Sequence, residues 1–448
     1  MKSRTTVMIS IVLAMLVASI DTTIMNTTMP VIAEELGRFD LYAWSFASYM
    51  IFCTVLAPVA GRISDMFGRK HVFGFGILFF LIGSLLCGLS QNMVQLVAFR
   101  AIQGIGAGIM TPFPMIIAGD LFRIEKRGKI QALFTGMWGL SAILAPLLGA
   151  FFVEYMNWRW IFYVNLPVCL LAFATLLPYK EAYTPKKTSI DYIGALLFAS
   201  GVSLILLVTV LEKYQVPLAA LGAAVLIAFY YYEKKQPSPI VPLSLVQDPT
   251  IRWINLNGFA ACAALFGIGS FVPLFLQDIA GESLFMSGLA LLGLAIGWMV
   301  LSVPAGKWVL RYGYRKLLLI GNGLLVASGI LFILIDANTG FWYVFGAMTV
   351  LGLGFGLTST VSMISAQQLV EPHQKGIATS FLMFCRNIGT AVGVTIMGAL
   401  LYGQSDMVGG FHSLFLFGLI GSVVAFAAAL RIRNRNMEGA MKERPVES

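Results

Sequence analysis

The sequence predicts an all-α polytopic membrane protein of fourteen spans, and three observations carry that prediction. Apolarity runs the whole length of the chain: 58% of its 448 residues are hydrophobic and 11% are charged, against about 25% charged in soluble domains. The mean hydropathy is +0.84, and a soluble core of this size would lack the polar residues needed to cover its surface. The apolar stretches recur at span length. The basic residues fall almost entirely in every second connection between those stretches.

A hydrocarbon core about 30 Å thick needs about 20 helical residues. Apolar runs of that order lie near 7–33, 43–61, 71–90, 93–117, 130–153, 161–177, 190–211, 216–232, 253–276, 284–305, 316–335, 340–364, 376–402 and 411–430. With the N-terminus in the cytoplasm, Arg38, Arg159 and Lys213 fall outside, Arg100 and Arg386 fall within spans, and the remaining 25 of the 30 Lys and Arg residues fall inside. An error in the count would reverse every later loop, so the positive-inside rule supports an even number of spans with both termini cytoplasmic. Lys2 and Arg4 precede an apolar run too long for a cleaved signal segment, so the first span is expected to stay.

The same placement argues against nucleic acid as partner, because the net charge of +9 is split among short loops and forms no continuous basic face. Cys53, Cys87, Cys169, Cys262 and Cys385 fall singly inside apolar runs and read as small core residues. His71, His373 and His412 lack metal-ligand spacing, so no metal or other cofactor is expected. No GxxxxGK[ST] loop marks an ATP-driven pump. No nucleophile–base pair marks an enzyme.

Ala60-Gly-Arg-Ile-Ser-Asp-Met-Phe-Gly-Arg-Lys70 and Ala305-Gly-Lys-Trp-Val-Leu-Arg-Tyr-Gly-Tyr-Arg-Lys316 form an internal repeat at about 245 residues. Two six-span halves follow, with spans 7 and 8 inserted between them. The expected domains are 1–180, a two-helix insert at 181–240, and 241–448. The Pro-rich stretch Gln236-Pro-Ser-Pro-Ile-Val-Pro242 links the insert to the second half.

Gly61-Arg-Ile-Ser-Asp-Met-Phe-Gly-Arg-Lys70 resembles the loop 2–3 signature of the major facilitator superfamily. Asp21-Thr-Thr-Ile-Met-Asn-Thr-Thr-Met-Pro30, Arg100-Ala-Ile-Gln-Gly-Ile-Gly106 and Trp158-Arg-Trp-Ile-Phe-Tyr-Val-Asn-Leu-Pro167 resemble segments of its fourteen-span drug:proton antiporters. The resemblance covers essentially the whole chain. It implies the major facilitator fold, two six-helix bundles plus two inserted helices, working by alternating access. In span 5 the family's glycine-rich signature reads Ala132, Ser141, Ala145-Pro146 and Gly149-Ala150 here. Pro146 and Gly149 remain, and the small residues still permit close helix packing.

A carboxylate near a helix centre costs about 2.5–3.5 kcal/mol and needs a partner, a cavity or a proton. Asp21 lies about 21 Å along span 1 and Arg100 about 10 Å along span 4 from the opposite face, which puts them at similar depth. In the resembled fold both spans face the central cavity. The pair reads either as a proton switch, Asp21 taking up and releasing a proton as its distance from Arg100 changes, or as a permanent salt bridge pinning two helices. Arg386, deep in span 13 without a carboxylate at its depth, either binds anionic cargo or donates to backbone carbonyls. Glu212, Asp278 and Glu282 read as solvated helix ends.

The resemblance implies a conformational latch on the cytoplasmic side at Arg62, Asp65 and Arg69, extended by Asp120 with Arg123 and Arg127. Surface ion pairs in an orienting loop would look the same in sequence. Asn26, Gln103, Trp138, Phe259, Phe266, Trp298, Met383 and Arg386 are candidates for a substrate cavity near the bilayer midplane, packing or lipid contact being the alternative. Gly104, Gly106 and Gly108 in span 4, and Gly352, Gly354 and Gly356 in span 12, give smooth helix faces.

The resulting expectation is a monomeric, proton-driven antiporter of the cytoplasmic membrane that exports amphipathic drugs or related small molecules. With Asp21 as the single deep carboxylate, monocations, zwitterions and neutral compounds suit it better than dications. Proton-coupled uptake and a non-transporting membrane sensor are the alternatives.

Overall fold

The computed structural model describes residues 2–38, 41–179, 181, 191–208, 214–236, 247–282, 284–336, 339–371, 374–402 and 406–432. Sixteen α-helices and no strand occur among them. The first ten are α1 (Lys2–Leu36), α2 (Tyr42–Phe67), α3 (Arg69–Gly88), α4 (Met93–Met110), α5 (Phe113–Leu121), α6 (Ile124–Tyr155), α7 (Trp160–Tyr163), α8 (Asn165–Leu176), α9 (Tyr192–Leu207) and α10 (Gln215–Glu233). They are followed by α11 (Pro249–Asp278), α12 (Leu284–Tyr312), α13 (Tyr314–Ile333), α14 (Phe341–Gln368), α15 (Lys375–Tyr402) and α16 (Met407–Arg431).

Every expected apolar stretch falls on one of these helices or on a consecutive pair. Eleven helices are long and apolar enough to cross a membrane, and Trp160–Leu176 and Tyr192–Leu207 are shorter apolar helices. Seventeen residues rise only about 25 Å, less than the hydrocarbon thickness. Length and apolarity together mark eleven crossings among the described residues; α6, although 32 residues long, is not one of them, and the expected count of fourteen is not reached there.

Polar caps start several of the helices where the hydrophobic pattern begins. The Asn92 side chain accepts the Gln95 amide at 2.9 Å ahead of α4, and Asp191 accepts the Gly194 amide at 2.8 Å ahead of α9. Asp248 caps α11 in front of a proline at the first helical position, and Asp406 caps α16. Each cap satisfies an amide that the helix itself leaves without a partner.

By packing, the chain divides into one unit of Met1–Leu121, Gly136–Leu243 and Thr379–Phe384, and a second of Phe122–Thr135, Ser244–Ala378 and Cys385–Ser448. In the first, Met25, Met29 and Ile32 of α1 pack with Leu96, Phe152, Trp158 and Phe162. The inserted α9 belongs to this unit, with Phe198 against Phe384 at 5.0 Å between ring centroids. In the second, Leu265, Phe275, Phe332, Leu351, Phe411 and Phe415 form the centre of the core. Alternate glycines of α14 serve two neighbours there: a Cβ at Gly356 would stand 2.9 Å from the Trp298 Cα, and one at Gly354 would stand 2.8 Å from the Gly321 carbonyl oxygen. Residues 237–242 of the Pro-rich stretch, together with Glu212, Lys213 and His373, lie outside the described residues.

The sequence repeat is also a backbone repeat. α2 passes into α3 through Gly68 (φ 100, ψ 151), and α12 passes into α13 through Gly313 (φ 76, ψ 160). Both glycines occupy a region essentially closed to other residues, where a side chain costs about 1–3 kcal/mol. A Cβ at Gly68 would in addition stand 2.6 Å from a carboxylate oxygen of Glu181. Gly313→Ala is expected to lower the unfolding temperature of the purified protein, and Gly68→Ala to lower it further. A Gly313→Ala protein as stable as wild type would contradict the backbone argument.

Candidate functional site

The deep charges of the first unit form one buried polar network drawn from five helices. Arg100 and Gln103 lie one turn apart on α4 and so share a face. That face is brought close to its neighbours by glycine. A Cβ at Gly104 would stand 2.5 Å from the Tyr49 carbonyl oxygen of α2, and one at Gly83 of α3 would stand 2.5 Å from the Gln103 backbone nitrogen. α2 and α3 are thus seated against α4 at backbone contact.

Within this seat Arg100 Nη1 donates to Asp21 Oδ2 of α1 at 2.6 Å and to Gln103 Oε1 at 2.6 Å. Gln103 Nε2 donates to Asp21 Oδ1 at 2.7 Å and to Ser84 Oγ of α3 at 2.8 Å. Asn165 Nδ2 of α8 reaches the same Asp21 Oδ1 at 3.2 Å and Ser84 Oγ at 3.3 Å. The Arg100 guanidinium carbon lies 4.3 Å from the centre of the Tyr49 ring. Asp21 and Arg100 are each 1% exposed. Both carboxylate oxygens are hydrogen-bonded, one of them twice, which is what makes a charge tolerable in this medium.

Sequence reasoning named Asp21, Arg100 and Gln103, and missed Ser84 and Asn165. Asn165 stands in the Trp158–Pro167 segment that carried part of the family resemblance, so a signal existed. Nothing in sequence separates Ser84 from other intramembrane serines.

At the start of α3, Arg69 is fully buried. It is paired with Asp65, donates Nε to Asp120 at 3.1 Å, and donates Nη1 to Ser64 Oγ at 2.7 Å. Glu181 accepts the Lys70 amide at 2.7 Å at this helix N-terminus, where negative charge is favoured. Of the expected latch residues, Asp65, Arg69 and Asp120 are brought together, while half-buried Arg62 forms no salt bridge among the described residues. Arg123 and Arg127 belong to the second unit. There Arg127 donates to Gln367 at 3.0 Å, and Arg123 faces Glu125 at 3.8 Å on the surface.

The Trp158–Pro167 segment also ties down the end of α1. Glu35 accepts Arg159 Nη1 at 2.7 Å and Trp158 Nε1 at 2.9 Å. The hydrogen bond from Arg159 holds the Glu35 carboxyl below its ordinary value of 4.5, against the smaller upward pull of burial.

The remaining cavity candidates are scattered. Trp138 is 44% exposed on α6 and Met383 is half-buried in the first unit. The side chains of Asn26 and Pro146 lie outside the described residues, and Gly149 is buried in α6. In the second unit, Phe355 of α14 gathers Trp298 edge-on at 4.7 Å, Phe266 at 6.1 Å and the Arg386 guanidinium at 6.0 Å. Phe259 of α11 packs beside α15, its Cα 3.0 Å from where a Cβ at Gly389 would stand.

The profile of the Major Facilitator Superfamily matches residues 11–394 and 287–448 of this chain. The chain is 32% identical over 413 residues to the multidrug transporter protein MdtP of Bacillus subtilis, covering 90% of this chain and 76% of that one. It is 34% identical over 405 residues to multidrug resistance protein 3 of the same organism, covering 88% and 79%. Among solved structures, the proton:xylose symporter XylE shares the fold with a TM-score of 0.67 at 16% identity, over 96% of this chain and 94% of that one.

Two outcomes are expected from this geometry. Removing one member of a buried pair costs about 3–5 kcal/mol, so Asp21→Asn should lower thermal stability, and adding Arg100→Gln should restore part of the loss. Strictly additive effects would show that the two side chains do not interact. For Glu35, the lowered carboxyl adds stability above the ordinary glutamate value and loses it as pH falls through the lowered one. The advantage of wild type over Glu35→Gln, within about 1 kcal/mol for so exposed a pair, should therefore be present at neutral pH and vanish in acid. A gap that widens on acidification would refute the assignment.

Proposed function

The chain belongs to the Major Facilitator Superfamily, and from that premise we propose that it exports amphipathic small molecules across the cytoplasmic membrane in exchange for protons, by alternating access. The observation that carries this reading is the Asp21 carboxylate, buried and held 2.6 Å from Arg100. The relatives named as multidrug transporters support drugs as the cargo.

Asp21 is the proton site. A proton reaching Asp21 Oδ2 replaces the charge-assisted hydrogen bond from Arg100 with a weaker contact, and the pair can separate. Gln103 and Asn165 keep hold of Oδ1 meanwhile, so the acid stays oriented. When Arg100 returns, the proton is expelled. This makes the pair a two-state element biased by protonation, which coupling to a gradient requires.

Asp65, Arg69 and Asp120, with Arg62 beside them, act as the cytoplasmic latch. Both termini lie on the cytoplasmic side, and the protein works as a monomer.

Dye efflux from cells expressing wild type or Asp21→Asn at matched membrane levels, with and without a protonophore, tests the reading. Wild type should lower dye accumulation, the protonophore should abolish that, and Asp21→Asn should fail. Protonophore-sensitive export by Asp21→Asn would place the coupling site elsewhere.

A further inference from the structure

The second unit holds a deep cation whose chemistry is unspent. Among the described residues Arg386 of α15 forms no salt bridge. Its Nη2 donates to the Ser359 carbonyl oxygen at 2.8 Å, and its Nε is buried without a hydrogen-bond partner. The indole N–H of Trp298 is likewise buried and unpartnered, as are the hydroxyls of Ser359 and Ser362. Phe355, Ser359 and Ser362 follow one another at helical spacing along a single face of α14. Arg386 and Trp298 both border the Phe355 ring, at 6.0 and 4.7 Å.

Each of these four unpartnered groups can donate a hydrogen bond, and two of them can do nothing else. Leaving such donors buried and unsatisfied is costly, and an unbalanced guanidinium more so. The group that satisfies all of them is an oxyanion acceptor, and a guanidinium matches a carboxylate in particular. The Phe355 ring borders two of these donors, and Phe266 packs against Phe355. Building on the export reading, we infer that Arg386, Trp298, Ser359 and Ser362 form a site for the carboxylate of an aromatic anion or zwitterion, whose ring system lies against Phe355 and Phe266.

The test uses the full-length protein in lipid nanodiscs and two probes with the same aromatic body: a rhodamine carrying a free carboxylate, and its methyl ester. Fluorescence anisotropy titration should show the free acid binding about tenfold tighter than the ester to wild type. Arg386→Gln should bring the acid down to the ester's affinity and leave the ester unchanged, which also shows that the variant is folded. Trp298→Phe keeps the ring, loses the N–H, and should weaken the acid alone by a few fold. Equal binding of both dyes by wild type, binding of neither, or an equal loss of both in Arg386→Gln would overturn the site. Equal binding together with intact efflux would remove the carboxylate site and leave export standing. Discrimination without any efflux would remove export and leave the site.

Discussion

A charge inside a membrane has to be matched at atomic distance, and the first unit is arranged around meeting that demand for Asp21. Five helices send a residue to the pair or its surroundings: Asp21 from α1, Tyr49 from α2, Ser84 from α3, Arg100 and Gln103 from α4, and Asn165 from α8. These groups reach one another because Gly104 and Gly83 let the backbones of α2, α3 and α4 touch. The glycines and the ion pair are therefore two parts of one device, the first providing the approach that the second needs.

The two copies of the repeat show how one backbone solution carries different chemistry. Gly68 and Gly313 make the same sharp break between consecutive helices. Around the first lie Ser64, Asp65 and Arg69, joined in a buried polar cluster. The repeat places Val309, Leu310 and Tyr314 at the corresponding positions of the second. The steric requirement for glycine survives duplication because it belongs to the chain path. The Ser64–Asp65–Arg69 cluster does not survive, although basic residues remain at both ends of the repeat, Arg62 and Lys70 matching Lys307 and Arg315.

A similar asymmetry distinguishes the deep cations. Arg100 finds a carboxylate within its own unit, while Arg386 finds a backbone carbonyl and aromatic rings. The first is internally neutral, its charge balanced within its own unit. The second keeps its positive charge and a buried Nε without an acceptor, as expected of a group completed by a ligand.

Much of this was legible in the sequence. Alternation of apolar runs with basic loops set the all-helical membrane fold, since lipid tolerates only backbone that satisfies itself. The spacing of Asp21 and Arg100 along their helices predicted a shared depth, and a carboxylate at such depth is too expensive to lack a partner. Tertiary structure alone decided which neutral side chains complete the site. Ser84 and Asn165 are ordinary residues until α3 and α8 bring them within reach of Asp21. It also decided that α6 starts in one unit and continues in the other, and that the expected sixth and seventh spans are short helices. Hydropathy registers the cost of burying a group from its own identity, whereas a hydrogen bond depends on where another helix places its partner.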